Sequence, residues 1–144
     1  MLLFITMETK SSDDQSLIAL IADHMESGFL ENIIDMFRHD RCLYLLTGSL
    51  IQDERVRVRI GVTALMEELK KLDAMNIFEA VPGLLPLLTH AESVVRGDAA
   101  NLLGIIGYEN ALSPLEKLLE DENEQVRLIA KEAIAEIRQQ YSYE

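Results

Sequence analysis

The sequence contains no tryptophan, one cysteine, three prolines and seven glycines among 144 residues. With aromatics at 6% and half of the residues apolar, the core must be filled by Leu, Ile, Val, Ala and Met, the usual filling between packed helices. The shortage of Gly and Pro argues against an all-β chain rich in turns. A lone cysteine excludes an intramolecular disulfide and a Cys-rich zinc site. Cys42 stands beside Leu43, Leu45 and Leu46, which predicts a small buried hydrophobe. Long hydrophobic runs are also missing. Met1-Leu2-Leu3-Phe4-Ile5 is too short for a signal peptide and has no basic leader, and no stretch approaches the roughly 18 apolar residues of a membrane span. The chain therefore reads as cytoplasmic, with Met7 as an alternative start. Basic charge is scarce: 13 Lys and Arg against 25 Asp and Glu give a net charge of −12. That balance repels a phosphate backbone and an anionic membrane, so neither is an expected partner.

Helical signals begin at Ser12-Asp13-Asp14-Gln15, a capping-box pattern ahead of Leu17, Ile18, Leu20, Ile21 and Met25. Residues 1–11 are expected to be disordered before it. Ser27-Gly28 ends the first helix. A second runs from Phe29 to Arg38, and Asp40 caps a third holding Leu43, Leu46, Leu50 and Ile51.

From there a repeat sets the architecture. When Val58-Arg59, Val95-Arg96 and Val126-Arg127 are aligned, the residues three, six, seven and ten after each Arg are all apolar. They are Val62, Leu65, Met66 and Leu69 in the first unit; Ala99, Leu102, Leu103 and Ile106 in the second; and Ala130, Ala133, Ile134 and Ile137 in the third. Those offsets trace one face of an α-helix. Eight residues before each Arg stand Ile51, Leu88 and Leu119; twelve before stand Thr47, Leu84 and Leu115. Each unit is thus a helix, a turn and a second helix opening on Val-Arg. The Arg spacings are 96 − 59 = 37 and 127 − 96 = 31 residues, so the first interval carries an insertion, placed around Leu72–Ala80. Asn76 and Glu79 suit an extra turn there, Pro82 a helix start, and Pro114 a first turn, whereas Pro86 should bend its helix.

The pattern resembles the HEAT-repeat family, especially the short bacterial and archaeal units first described in phycobilisome lyases. The best match is Gly107-Tyr108-Glu109-Asn110-Ala111-Leu112 through Leu118-Leu119-Glu120-Asp121, then Val126-Arg127 and Ala130. The resemblance covers residues 40–139. It implies an all-α superhelix, an armadillo-like solenoid of about four antiparallel helix pairs in one domain, 12–140. Residues 12–39 would form an N-terminal capping pair, 40–140 three repeats, and 141–144, with Tyr141 and Tyr143, a frayed tail. It also implies that Arg59, Arg96 and Arg127 form an inter-repeat ladder with Asp53, Glu92 and Asp121, rather than an anion site.

Catalytic patterns are missing. His24, His39 and His90 form no His-Glu dyad and no close metal-ligand spacing, which sets aside the iron-dependent hydroxylases of the family. No phosphate loop or nucleophile elbow is present. Glu67-Glu68 and Asp13-Asp14 read as a solvated face and a helix N-terminus. The chain is expected to be no enzyme and to need no metal or cofactor.

One stripe is unusual. The outward positions of the second helices hold Ile60, Gly61, Ala64, Glu67 and Glu68; then Gly97, Asp98, Asn101 and Gly104; then Leu128, Ile129, Glu132 and Ala135. Glycine inside a helix costs about 1 kcal/mol relative to Ala, so small residues there ask for a reason. Two readings stand. The stripe packs tightly on an adjacent helix, or it forms a shallow groove on the concave face that the resemblance assigns to second helices. The groove reading makes the chain an acidic adaptor or scaffold for another protein. Ile60, Ala64, Leu128 and Ile129 would supply apolar contact, and Glu67, Glu68, Asp98 and Glu132 would select a basic or helical segment. Self-association as a homodimer is compatible with the same surface or with the N-terminal helices. The alternative function, implied by the resemblance, is a chromophore lyase or chaperone.

Overall fold

The computed structural model describes residues 2–142, with side chains from Asp13 to Ser142. The described residues form helices α1 (Leu2–Glu26), α2 (Leu30–His39), α3 (Thr47–Leu50), α4 (Val56–Leu72), α5 (Val81–Leu84), α6 (Ser93–Ile106), α7 (Leu112–Lys117) and α8 (Glu124–Gln140). Short 3₁₀ segments extend three of them: Arg41–Leu46 runs into α3, Asn76–Ala80 and Leu85–Thr89 flank α5, and Glu109–Ala111 and Leu118–Glu120 flank α7. No strand is present among the described residues.

The helices form two layers. In one, α1 packs on α4, α4 on α6, and α6 most extensively on α8. In the other, segment 41–50 packs on segment 76–89, which in turn meets α7. The units are those of the repeat, each a short first helix and a long second one. The offsets mark the core correctly. All twelve residues at offsets three, six, seven and ten are buried, and so are Ile51, Leu84, Leu88 and Leu115.

Proline bears on the shortness of α5. Pro82 sits in the opening turn of α5, where a missing N–H is harmless. Pro86 stands in the opening turn of the 3₁₀ segment Leu85–Thr89, so the expected bend is a change from α to 3₁₀ geometry. The insertion becomes the 3₁₀ segment Asn76–Ala80, which buries Ile77 and Ala80. Between the first helices the backbones nearly touch. A Cβ on Gly48 would strike the carbonyl oxygen of Gly83, and one on Gly83 would lie 3.0 Å from that of Leu45.

Two polar side chains tie distant segments together. The buried Tyr44 donates its hydroxyl to Asp73 Oδ2 at 2.7 Å, and stacks edge-on against Phe37. Burial, followed by the neighbouring Asp73, holds its phenol well above the usual range. Lys70 of α4 donates to the carbonyl of Ile106, the last residue of α6, at 2.6 Å, and to Gln140 at the end of α8 at 3.2 Å. A cation there satisfies an orphan carbonyl and the negative end of the α6 dipole. Burial pulls this ammonium's pKa below that of an ordinary lysine.

Three expectations are corrected. Helix α1 does not begin at Ser12 but runs on from Leu2. Propagating a helix through residues without Gly or Pro gains a hydrogen bond per residue, and this outweighs the capping pattern. Cys42 is exposed, because Asp40 accepts its backbone N–H at 3.0 Å and opens the 3₁₀ segment with the side chain facing out. Tyr141 is anchored, donating its hydroxyl to the carbonyl of Gly107 at 2.8 Å. Tyr143 and Glu144 lie outside the described residues.

The register predicts a contrast in stability. Leu103, fully buried on α6, should lose about 2–5 kcal/mol on Leu103→Ala by leaving a cavity, whereas Glu68→Ala should change stability by less than about 0.5 kcal/mol. Denaturant melts of the two variants check the order.

Candidate functional site

The turns between paired helices share one device. Asp53 Oδ1 accepts the backbone N–H of Arg55 at 2.8 Å, and Asp121 Oδ1 accepts that of Asn123 at 2.9 Å. In the middle unit His90 takes the same position, and its Nδ1 accepts the N–H of Glu92 at 3.0 Å. The nitrogen that accepts there must be the unprotonated one. Each repeated Arg then closes its own turn. Arg59 donates to the carbonyls of Asp53 and Glu54, Arg96 to those of His90 and Ala91, and Arg127 to that of Asp121.

The ladder between units differs in detail from the expected one. Arg96 forks onto Asp121, Nε to Oδ2 at 2.8 Å and Nη2 to Oδ1 at 2.9 Å, with both side chains less than a tenth exposed. That hydrogen bond holds the Asp121 carboxyl below, and the Arg96 guanidinium above, its ordinary range. Arg59 has no such partner, because His90 stands where the other turns have Asp. It faces Asp98 on α6 instead, Nε to Oδ2 at 3.4 Å. Glu92 is exposed and pairs with no cation among the described residues. Asp53 serves Arg55, which also reaches Asp23 on α1 at 3.0 Å, and this fork onto Asp53 lowers the carboxyl's pKa.

The small-residue stripe divides. Gly97 and Gly104 are buried against α8: a Cβ on Gly104 would lie 2.9 Å from Ala133 Cβ and 3.0 Å from its Cα, and one on Gly97 would lie 3.1 Å from Ile129 Cδ1. A Cβ on Gly61 would run into Met25 of α1. These three glycines are packing positions and not a groove. A second helix of a solenoid has a neighbour on each side, and the glycines let those neighbours approach. Leu128 is exposed but turned away from Ile129, toward Leu119 at the C-terminal edge. Ile60, Glu67 and Glu132 are exposed, while Ala64, Glu68, Asp98, Asn101 and Ile129 are partly so.

What remains on this face is a small cavity of about 240 Å³ between the N-terminal ends of α6 and α8. Val94, Val126 and Ile129 give it apolar walls, with Gly97 and Asp98 alongside. Asp98 Oδ2 is buried and accepts no hydrogen bond, since Arg59 reaches it only at ion-pair distance. Burial raises this carboxyl's pKa, so the folded chain disfavours its charge, the opposite of Asp121. Val94 at the cavity is exposed, and on α4 so are Val56 and Ile60.

A family model for HEAT repeats matches residues 49–135. The chain belongs to the HEAT-repeat family. No curated protein matches it significantly. HEAT repeats typically serve protein–protein interaction without catalysis. The match takes in α4, α6 and most of α8, while α1 and α2 lie outside it. Among the described residues no cluster of three His, Cys, Asp or Glu is placed to hold a metal, and no helix is long and apolar enough to cross a membrane. His24 and His39 each donate Nδ1–H to the carbonyl four residues back, at 3.0 and 2.7 Å.

The Gly104 contact yields a direct test. Gly104→Ala gains about 1 kcal/mol of helix propensity, but overpacking against Ala133 costs about 1–3 kcal/mol, so the net effect should be destabilising. Gly104→Arg should unfold the protein or lower its melting temperature sharply. A thermal melt at or above wild type for the Arg variant would restore the groove.

Proposed function

We propose that this HEAT-repeat chain is a non-catalytic adaptor that binds a basic segment of another protein across α4, α6 and α8. The observation that carries this reading is the cavity beside Asp98. Its carboxylate oxygen is buried without a hydrogen-bond donor, and Val94 and Ile129 stand next to it. An incoming Lys or Arg matches both features, laying its methylene stem on the valine and isoleucine and placing its donors on the carboxylate. Ile60 and Val56 extend the apolar contact onto α4, while Glu67, Glu68 and Glu132 favour a basic partner by their charge. Gly61, Gly104 and Leu128 drop out of the contact set because they face elsewhere, while Gly97 packs against Ile129 and only borders the cavity.

The lyase alternative draws no specific support. A hollow of about 680 Å³ at the C-terminal edge is open and of mixed lining, with Glu116, Lys117, Glu120 and Arg138 beside Leu119 and Ile134.

The test is affinity capture from the native host by wild type and by Val94→Glu, read by mass spectrometry. Val94 is half-exposed in the first turn of α6, where a carboxylate is compatible with the helix, so the variant should melt like wild type. The expected result is a protein partner retained by wild type, released by salt and reduced at least tenfold on the variant. Equal recovery on both baits contradicts the reading.

A further inference from the structure

The carboxylate beside the cavity has a regulatory consequence, which rests on that cavity being the partner site. Two places after its repeated Arg, the first unit carries Gly61 and the third Ile129, both uncharged; the middle unit alone places a carboxylate there, Asp98. The aspartates of the flanking turns are well served. Asp53 accepts from the Arg55 guanidinium and Asp121 from that of Arg96, and each also accepts a backbone N–H of its own turn. Asp98 has neither kind of partner. Its Oδ2 is buried without a hydrogen bond, although 33% of the side chain stays exposed.

The charges around it are sparse. On α4 the Arg59 guanidinium faces it, Nε 3.4 Å from Oδ2. That cation is shared, since it donates to the carbonyls of Asp53 and Glu54 and borders Glu92. On the α8 side the cavity wall is Asn123, Gln125, Val126 and Ile129, none of which titrates. Segment 81–89, which also packs on α6, holds no charged residue. In the turn before α6, His90 directs its Nδ1 to the Glu92 N–H, and Arg96 is taken up by Asp121. Burial therefore lifts the Asp98 carboxyl above the usual aspartate range, and the Arg59 charge offsets this only in part. A second cation brought to the site would favour the ionised form.

We propose that the Asp98 site is proton-linked: a partner's basic side chain binds the ionised carboxylate, and in acid a proton takes its place and releases the partner. Cation and proton compete for one group. Affinity is then constant above the titration range of the free carboxyl and falls below it by up to about tenfold per pH unit.

Fluorescence anisotropy with a rhodamine-labelled peptide of alternating lysine and serine tests this, on wild type, Asp98→Asn and Val94→Glu from neutral pH to about pH 4.5. Asparagine mimics the neutral acid, so Asp98→Asn stands for the protonated site at every pH, while all other carboxylates titrate in both chains. At neutral pH wild type should bind more tightly than Asp98→Asn by about tenfold or more, and the ratio should shrink toward one as the pH falls. A ratio that stays constant across the range overturns the proton linkage and leaves the binding site standing. Equal binding by wild type and both variants at neutral pH, or none by any of them, overturns the site itself and the linkage with it. A second measurement needs no variant: NMR titration of the Asp98 carboxyl carbon in wild type. Its midpoint should lie above the ordinary aspartate value and move down when the peptide is added. A midpoint at or below the ordinary value, or one unmoved by saturating peptide, also overturns the proposal.

Discussion

The Arg96 guanidinium is the joint on which the stacking of the units depends. It donates to two carbonyls of its own turn and forks onto Asp121 of the next, so one planar group fixes both the shape of a turn and the register between repeats. A charge buried this far is tolerable only because its donors are matched in a bidentate geometry. With that register set, α6 and α8 lie parallel enough for Gly97 and Gly104 to meet Ile129 and Ala133 at close range. The apolar offsets then fall on a single continuous core.

The same joint decides which surfaces are left for partners. Close packing of α6 on α8 covers Gly97 and Gly104 and that of α4 on α1 covers Gly61, while Ile60, Glu67, Val94 and Glu132 stay exposed on the second helices. Asp98 is itself a consequence of the ladder. The middle turn carries His90 in place of an aspartate, and Arg59 turns to a carboxylate on α6 that it cannot hydrogen-bond well. Burial differs between units even at equivalent positions: Leu119 is 41% exposed where Ile51 and Leu88 are buried.

Much of the fold was legible in the chain because a solenoid repeats its local physics. The Val-Arg alignment located the core of every second helix, and the 37-residue interval located the extra 3₁₀ turn. The candidate site was less legible. Whether Gly104 faces solvent or a neighbour depends on a helix 29 residues away, since α6 and α8 meet at Ala133, and periodicity within one helix carries no such information. Leu128 shared an offset with Ile60 and Gly97, but the three environments differ with position in the array. The substitution of Glu92 into the ladder followed chemistry rather than offset: His90 stands six residues before its Arg, as Asp53 and Asp121 do, and that count would have marked the turn as the odd one. Lys70 capping α6 and Tyr44 meeting Asp73 join segments that no local pattern connects.

A double-mutant cycle on Arg96 and Asp121 tests the account most directly, with Arg96→Met, Asp121→Asn and the pair compared in urea at neutral pH. Removing one partner of a buried pair should cost about 3–5 kcal/mol, and the double variant should cost clearly less than the sum, a coupling of more than about 1.5 kcal/mol. The sign with pH follows from the depressed Asp121 carboxyl. Its contribution is complete above the ordinary aspartate range and fades as pH falls through the lower folded value, so the coupling should vanish in strong acid. Additive single variants, with coupling below about 0.5 kcal/mol at neutral pH, would contradict the claim that this rung sets the register of the repeats.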